Sequence, residues 1–299
     1  MRKIGFIGLG QMGRWMAVNL VKAGLPLIVC DINPEAVEKI VGLGGASAST
    51  PAELSAEADT IFLCLPHQGV VQEVVCGRDG ILGGSRQGRL VVDCGTTDYL
   101  WTIDFAQTMA NEGIQFVDAP VTGMEKRARE GSLTIMFGGP RRILETIRPA
   151  LETMGNRIVH MGEVGSGQLM KLVNQLLFNI SVAAMAEVLP MAVALGLDPE
   201  KVSEVVNSGS GRSFASETFL PHVLENRFSH GYSMDNAYKD MAAGLRISAA
   251  NRIPMPMVQA ATAIYQAALR SGYGNQDKGA MIKLYEGLLK VSFRKQRFE

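Results

Sequence analysis

A chain of 299 residues is longer than one hydrophobic core usually organises, so its length predicts two domains. Its 29 basic residues balance its 29 acidic residues, which excludes the broad basic surface that binds nucleic acid or anionic membranes. We therefore expect no nucleic-acid partner and no membrane partner, and any anion must be recognised locally.

The sequence predicts no metal site and no disulfide. Four cysteines fall in the first third of the chain, without the paired C-x-x-C spacing of a zinc site. They are Cys30, Cys64, Cys76 and Cys94. We expect them to be reduced, buried side chains in a cytoplasmic protein. The four histidines, at positions 67, 160, 222 and 230, also lack ligand spacing.

The first 160 residues alternate short β-rich runs with amphipathic helical stretches, which is typical of a parallel sheet flanked by helices. The predicted strands cover residues 3–7, 26–31, 60–65, 89–93, 114–118, 133–137 and 157–160. Asn33 before Pro34 predicts a capped helix start, and residues 50–53 (TPAE) fit a capping box with proline at the first helical position. This half is predicted to be a doubly wound α/β sheet.

After Gly165 the β-rich runs end, and long helical stretches separated by short polar joints follow. The change predicts a first domain over residues 1–163 and an all-α domain over residues 164–299, joined by a long interdomain helix. Asp198 before Pro199 predicts the start of a further helix, and the glycines at 209, 211, 272 and 274 predict breaks.

The stretch 176–197 is nearly free of charge and long enough to cross a bilayer. It contains Asn179, Glu187 and Pro190, and it continues a helix that begins with polar residues. We therefore interpret it as a core helix that is buried on most sides, in part by a partner subunit. The expected assembly is a homodimer or a homotetramer.

A glycine-rich segment follows the first predicted strand and opens the predicted helix 14–22. It reads Gly8, Leu9, Gly10, Gln11, Met12, Gly13 and matches G-x-G-x-x-G. The first two glycines permit a tight turn and let backbone N–H groups approach a pyrophosphate, and the third allows close helix packing. Asp31 ends the second strand, 18 residues after Gly13, near the spacing at which a carboxylate binds the adenosine ribose. The pattern predicts a Rossmann-type dinucleotide site.

Asp31 also predicts which dinucleotide binds. Its carboxylate repels the additional phosphate of NADP, and the following Ile32 and Asn33 supply no compensating cation. NAD is therefore favoured over NADP, although a lysine or arginine from another loop could reverse this preference.

Four motifs in the same order resemble the β-hydroxyacid dehydrogenase family, which includes 3-hydroxyisobutyrate dehydrogenases and tartronate semialdehyde reductases. They are GLGQMGRWMAVNL at 8–20, DAPVTGMEKRAREGSLTIMFGG at 118–139, GSGQLMKLVNQ at 165–175 and YKD at 238–240. The resemblance covers essentially the whole chain. It implies reversible, metal-free transfer of hydride between NAD and a small 3-hydroxy acid, with a semialdehyde as the product.

The resemblance implies that the loop after Pro120 holds the substrate carboxylate through Thr122 and Gly123. Met124 stands where relatives usually carry a second glycine, so we expect a substrate other than the family's commonest one. The charged residues at 125, 126, 127 and 129 are interpreted as a solvated helix face. Further cofactor contacts are predicted at Leu65, Pro66, Thr96 and Lys239. Gly95 departs from the family's serine-threonine pair near the nicotinamide.

Lys171 is the predicted catalytic residue. Oxidising an alcohol requires a group that accepts the hydroxyl proton. A lysine between two domains is partly desolvated, and it lies near the positively charged oxidised nicotinamide, so its neutral form is favoured. Asn174 and Gln175 share one helix face with Lys171 at i+3 and i+4, where they can orient the lysine and the substrate.

Several alternatives stay open. Asp240 matches the family's lysine-aspartate pair near the active site, but Lys239 and Asp240 equally fit a surface ion pair. Arg212 fits either a second anionic group of the substrate or an ordinary surface position. A decarboxylating sugar-acid dehydrogenase like 6-phosphogluconate dehydrogenase is related in fold, and an imine reductase shares the two-domain plan. A non-enzymatic NADH-sensing protein is an alternative from a different functional class. Lys171 argues against the last two.

Overall fold

The computed structural model describes residues 3–84, 89–229 and 231–295. Its internal contacts divide the chain into two compact units between Lys171 and Leu172, here called unit 1 and unit 2. Each unit has its own hydrophobic core. The predicted domain boundary between residues 163 and 164 stays a prediction.

Unit 1 is built on a sheet of nine strands in the order β3-β2-β1-β4-β5-β6-β8-β7, with β9 paired to β8. The strands are β1 (Lys3–Ile7), β2 (Leu27–Cys30), β3 (Ala46–Ser47), β4 (Ala58–Leu63), β5 (Leu90–Asp93), β6 (Gln115–Asp118), β7 (Val121–Thr122), β8 (Leu133–Gly138) and β9 (Gly155–Gly162). The pairings from β3 through β6 are parallel, whereas β8 runs antiparallel to β6 and β7. The predicted doubly wound α/β sheet is confirmed, and all seven predicted strands are present.

The central strands are apolar at successive positions because both faces of the sheet are covered. Phe6 of β1 and Phe62 of β4 belong to the core on one face, while Ile7 and Leu63 belong to the core on the other. Alternation within such strands places neighbouring side chains on opposite faces, so a doubly covered strand has no polar side. The two-residue strands β3 and β7 were not predicted, because two residues carry no periodic signal.

Two helices of unit 1 begin where the sequence predicts capped starts, at Pro34 and Pro51. The helices of unit 1 are α1 (Gly13–Lys22), α2 (Pro34–Val41), α3 (Pro51–Glu57), α4 (Gln68–Cys76), α5 (Tyr99–Asn111), α6 (Met124–Arg129), α7 (Arg141–Met154) and the start of α8 (Ser166–Ala194). Asn33 caps α2 by accepting from the Glu35 N–H at 3.0 Å. The predicted capping box of α3 is only half formed, because the Glu53 carboxylate accepts from the N–H of Ser49 rather than Thr50.

Unit 2 is helical. It contains the rest of α8, then α9 (Pro199–Ser208), α10 (Phe214–Leu224), α11 (Met234–Asn251), α12 (Pro256–Arg270) and α13 (Ile282–Leu289). Asp198 caps α9 as predicted, since its carboxylate accepts from two backbone N–H groups at 3.0 Å. In the part of the chain that the structure describes, α8 alone has the length and composition of a membrane span, which is weak support for one because core helices share these properties.

All four cysteines are free thiols. Cys30 and Cys94 are buried and Cys64 is half-buried, but Cys76 is exposed at the end of α4. The prediction that these cysteines are buried is therefore wrong for Cys76, because the last turn of a surface helix turns this position outward. Among the described residues no group of three or more histidine, cysteine or acidic side chains fits a metal ion, and position 230 lies outside them.

Candidate active site

Two of the three loop glycines are required by the protein's own backbone. Gly8 has a φ of +98°, and a Cβ there would lie 2.4 Å from the carbonyl oxygen of Cys64. A Cβ on Gly13 would lie 1.9 Å from the carbonyl oxygen of Gly8. The turn from β1 into α1 therefore closes only if both positions lack a side chain.

Gly10 is different, because a Cβ on this exposed residue would have no neighbour within 4 Å. The described part of the chain gives no steric reason for glycine here, whereas a ligand that approaches the backbone would. The start of α1 also carries no side-chain cap, which leaves backbone N–H groups at the positive end of the helix dipole. The loop thus fits the pyrophosphate of a dinucleotide.

Asp31 lies at the end of β2 beside this loop. Its carboxylate accepts from the backbone N–H of Leu9 at 2.5 Å and from that of Asn33 at 2.7 Å, one bond to each oxygen. Each carboxylate oxygen keeps a free lone pair, so the group can still accept from two ribose hydroxyls. Ile32 is fully exposed next to it, and Asn33 serves as the helix cap of α2.

The ends of β4 and β5 bring further predicted residues to the same edge. Leu65 is half-buried with its side chain beside Gly8, Pro66 is exposed, and Thr96 is half-buried. A Cβ on Gly95 would lie 2.7 Å from the carbonyl oxygen of Leu65. Serine, the family's residue, therefore does not fit at position 95 without a local backbone shift.

Two buried aspartates were not singled out from the sequence. Asp93 ends β5 and accepts from the Gly95 N–H at 2.9 Å and the Thr97 hydroxyl at 3.0 Å. Asp118 ends β6 and accepts from the N–H groups of Gly165 at 2.6 Å and Gln168 at 2.8 Å. The sequence did carry a signal for both residues, because each acid stands at the end of a strand that was predicted to be buried. A buried carboxylate needs hydrogen-bond donors around it.

Burial dominates the ionisation of both acids. It raises the pKa of Asp93 to about 6 and that of Asp118 to about 7, against the opposing effect of their hydrogen bonds. Gln168 links the two, since its backbone N–H binds Asp118 and its side-chain amide donates to the Gly95 carbonyl at 3.0 Å. This network fixes the first turn of α8 to the carboxyl ends of two neighbouring strands.

The loop predicted to hold a carboxylate has an unusual backbone. Thr122 ends β7 and is half-buried. Gly123 has a φ of +139° and Met124 a φ of +60°, and the second value is uncommon for a residue with a side chain. Met124 therefore occupies a glycine-like conformation, at the position where the family carries glycine. Met124 is half-buried.

The predicted catalytic lysine lies against this loop. Lys171 is buried, with 9% of its surface exposed, and its Nζ donates to the carbonyl oxygen of Val121 at 2.9 Å. Val121 directly precedes Thr122. The structure thus places the only ammonium-bearing residue of the GSGQLMKLVNQ motif next to the loop, as a proton-transfer role requires.

Of the charged residues predicted to form a solvated helix face, Lys126, Arg127 and Arg129 are exposed, but Glu125 is half-buried and bonded to other parts of unit 1. Its carboxylate accepts from Trp15 Nε1 at 2.9 Å, from Gln11 Nε2 at 3.0 Å and from the Arg14 guanidinium. These bonds to the glycine-rich loop and to α1 lower the pKa of Glu125 to about 2, and the Trp15 bond has the largest effect. Sequence spacing could not reveal them, because the partners are more than 100 positions away.

Unit 2 holds the remaining predicted residues. Gln175 Nε2 donates to Asp240 Oδ2 at 3.0 Å, and both residues are buried. Tyr232 also hydrogen-bonds to Asp240. Lys239 is exposed and donates to Asn236 at 3.1 Å, so the surface ion pair of Lys239 and Asp240 is the wrong alternative.

Two further positions lie on or near the surface of unit 2. Asn174 is half-buried on α8. Arg212 is largely exposed, and its guanidinium lies 3.7 Å from the Glu217 carboxylate. This geometry is that of an ordinary surface ion pair, which favours the second of the two interpretations of Arg212.

Comparisons with known proteins cover both halves of the chain. A family model described as the NAD binding domain of 6-phosphogluconate dehydrogenase matches residues 3–162. Another, described as "NAD-binding of NADP-dependent 3-hydroxyisobutyrate dehydrogenase", matches residues 165–285. The 2-(hydroxymethyl)glutarate dehydrogenase of Eubacterium barkeri is 37% identical over 97% of each chain.

Two more relatives agree with these matches. The mitochondrial 3-hydroxyisobutyrate dehydrogenase of Bos taurus is 34% identical over 92% of this chain and 84% of its own. A crystal structure of 3-hydroxyisobutyrate dehydrogenase from Salmonella typhimurium has a TM-score of 0.88 at 26% identity, over 95% of this chain and 100% of that one. Sequence and fold thus point to the same group of proteins.

Proposed function

This chain belongs to the β-hydroxyacid dehydrogenase family, and we propose that it transfers hydride reversibly between NAD and a small 3-hydroxy acid, with Lys171 as general acid and base. Its named relatives are dehydrogenases of hydroxy acids, so it is an oxidoreductase of such acids with a nicotinamide cofactor. The observation that carries the finer proposal is the buried Lys171 Nζ on the Val121 carbonyl, beside Thr122.

The substrate's carboxylate binds the Thr122 hydroxyl and the backbone of Gly123 and Met124. A loop that leaves a strand end can direct a hydroxyl and N–H groups at an anion without a formal positive charge. Substrate contacts at Asn174, Gln175 and Asp240 of unit 2 stay predictions from the sequence. Met124 narrows the space beside the carboxylate, so it contributes to the choice among hydroxy acids.

Lys171 accepts and returns the proton of the substrate's hydroxyl group. In the oxidative direction the neutral amine accepts the hydroxyl proton while the C–H bond of the same carbon breaks and its electron pair leaves as hydride. The bound nicotinamide supplies the hydride acceptor. The alcohol carbon becomes a carbonyl, and Lys171 returns its proton when the reaction runs in reverse.

The substrate class follows from chemistry that the relatives' names share. 2-(Hydroxymethyl)glutarate and 3-hydroxyisobutyrate both carry a primary alcohol one carbon beyond the carbon that bears a carboxylate. Oxidation of such an alcohol gives a semialdehyde. The exposed Ile32 and the Asp31 carboxylate support NAD over NADP, since neither provides a cation for a 2′-phosphate.

The proposal is tested by following NADH oxidation with a panel of semialdehydes and keto acids, and NAD reduction with the matching hydroxy acids. We expect turnover with at least one semialdehyde whose aldehyde carbon is attached to the carbon that bears the carboxylate. We expect no release of carbon dioxide. Release of carbon dioxide from a sugar acid would instead identify the decarboxylating alternative. No turnover across the panel with either cofactor would contradict the proposed function.

A further inference from the structure

Four side chains of unit 1 form one hydrogen-bonded group, here called the Glu125 tether. Its members are Gln11, Arg14, Trp15 and Glu125. Gln11 belongs to the glycine-rich loop, and Arg14 and Trp15 form the first turn of α1. Glu125 is the second residue of α6 and directly follows Met124. The tether therefore joins the loop of residues 8–13 to the loop of residues 122–124.

The Glu125 tether differs from an exposed ion pair because three hydrogen-bond donors share one carboxylate. The side chains of Arg14 and Glu125 are 47% and 35% exposed, and an isolated pair of that kind contributes little. Here an indole N–H, an amide and a guanidinium all donate to one carboxylate. The Trp15 ring also makes cation–π contacts with Arg14 and Arg129, whose guanidinium carbons lie 5.4 and 5.3 Å from its centroid.

The backbone of Met124, next to the tether, needs contacts from outside its own segment to hold its conformation. A left-handed φ at Met124 is unfavourable for a residue with a Cβ, and such conformations persist only where neighbouring contacts determine them. Glu125 directly follows Met124, and the donors of its three hydrogen bonds to the glycine-rich loop and α1 all come from residues 11–15.

We propose that Glu125 is a positioning residue that couples dinucleotide binding to the conformation of the hydroxy-acid loop. Gln11 lies in the loop that fits the pyrophosphate, so a bound dinucleotide orders Gln11, and Gln11 with Trp15 then fixes Glu125 and the adjoining Met124. Hydroxy-acid binding is strengthened once the dinucleotide is in place. This proposal rests on the proposed function only for the identity of the second ligand.

The first experiment needs no substrate. Hydrogen exchange of residues 121–129 is measured by mass spectrometry with and without saturating NADH, in the wild type and in Glu125→Gln. NADH should slow exchange of this segment in the wild type, and the protection should be lost in Glu125→Gln while NADH still binds. Glu145→Gln is the matched control, because Glu145 also accepts from an arginine, Arg148, at 2.7 and 2.8 Å on the exposed side of α7.

The second experiment uses turnover with the hydroxy acid identified by the panel. Hydrogen bonds of this kind change an equilibrium about three- to tenfold, so Glu125→Gln should raise KM for the hydroxy acid by about that factor and leave the pH profile of kcat unchanged. Trp15→Phe, which removes the indole donor and keeps an aromatic ring, should have a similar effect. Their double variant should be no worse than the stronger single variant.

The outcomes separate this proposal from the proposed function. Equal NADH protection of residues 121–129 in the wild type and Glu125→Gln overturns the coupling, whatever the substrate is. Additive effects of the two substitutions also overturn it, because the residues then do not act through their shared bond. Loss of protection in Glu125→Gln together with an inactive substrate panel supports the coupling and contradicts the hydroxy-acid function.

Discussion

The Asp118 carboxylate accepts a hydrogen bond from the backbone N–H of Gln168 at 2.8 Å, and with it the end of β6 caps the start of α8. A second bond from the Gly165 N–H, at 2.6 Å, completes the cap. Lys171 lies one helical turn after Gln168. The Asp118 carboxylate therefore fixes the start of the helix that carries the predicted catalytic lysine, which lies against the loop of residues 122–124.

Asp118 should make stability depend on pH. Burial raises its pKa from 3.8 to about 7, so between these values the folded state holds a proton that the unfolded state has released. The free energy of unfolding from this group is therefore highest below about pH 4 and falls as the pH rises through about 7. Asp118→Asn should flatten the decline in urea midpoint between about pH 4 and about pH 7.

The exposed Asp104 of α5 provides the control for this measurement. Asp104→Asn should leave the pH dependence of the urea midpoint as in the wild type. Identical pH slopes in the wild type and Asp118→Asn would contradict the role of Asp118. Asp93→Asn should act in the same direction over a lower range, because the pKa of Asp93 is raised to about 6.

The fold and the dinucleotide loop were predictable because their signals are local. Alternation of apolar runs and the spacing of Gly8, Gly10 and Gly13 are properties of neighbouring residues. The bonds of Asp118 to Gln168 and of Glu125 to Trp15 were not predictable, because they span 50 and 110 positions and leave no periodic pattern. Such partners are set by how the strands and helices pack, which spacing does not encode.

The replacement of Lys171 tests the proposed chemistry directly. Lys171→Ala should keep NADH affinity, measured by fluorescence titration, and lower kcat by about two to four orders of magnitude, the usual contribution of a general acid or base. Lys171→Arg should not restore turnover, since a guanidinium does not release its proton at working pH. Lys201→Ala on exposed α9 is the control. Near-wild-type turnover of Lys171→Ala would refute the mechanism.

Cofactor choice should depend on Asp31 and Ile32. The wild type should have a higher kcat/KM with NAD than with NADP, because the Asp31 carboxylate opposes a 2′-phosphate. The pair Asp31→Asn and Ile32→Arg should shift the ratio of the two kcat/KM values toward NADP by at least about tenfold. Ile32→Arg alone separates the added cation from the lost carboxylate. A wild type that prefers NADP would contradict this assignment.

Removing a side chain at position 124 and adding one at position 123 should have opposite effects on the free energy of unfolding. Met124→Gly removes a Cβ from a left-handed conformation and should change the free energy of unfolding by about 0 to +1 kcal/mol, stabilising the protein. Gly123→Ala should destabilise it by more than about 1 kcal/mol, because φ is +139° and the new Cβ would lie 2.9 Å from the Arg127 Cβ. Urea unfolding measures both. A destabilised Met124→Gly would show that packing of the methionine outweighs its backbone strain.

The α8 apolar face is the group of exposed apolar residues on the part of α8 in unit 2, together with Leu195, which directly follows the helix. It comprises Val173, Leu177, Ala184, Val188, Met191 and Leu195. At about 100° per residue these positions fall within about 60° of the helix circumference, so they form one continuous stripe. The prediction that this helix is buried on most sides holds only if something covers the stripe, since 44% of its most apolar window is buried within one chain.

We predict that a second copy of the chain covers the α8 apolar face. The wild type should be a dimer or a larger assembly at micromolar concentration by sedimentation or light scattering. Leu177→Asp with Leu195→Asp should dissociate it, because these leucines are 63% and 77% exposed in one chain and each stabilises an interface by about 1.5–3 kcal/mol when fully buried. Val205→Asp on α9 is the control, since Val205 is 67% exposed but lies outside the stripe. A wild type that is monomeric, or an assembly that survives both leucine substitutions, would show that the α8 apolar face does not mediate self-association.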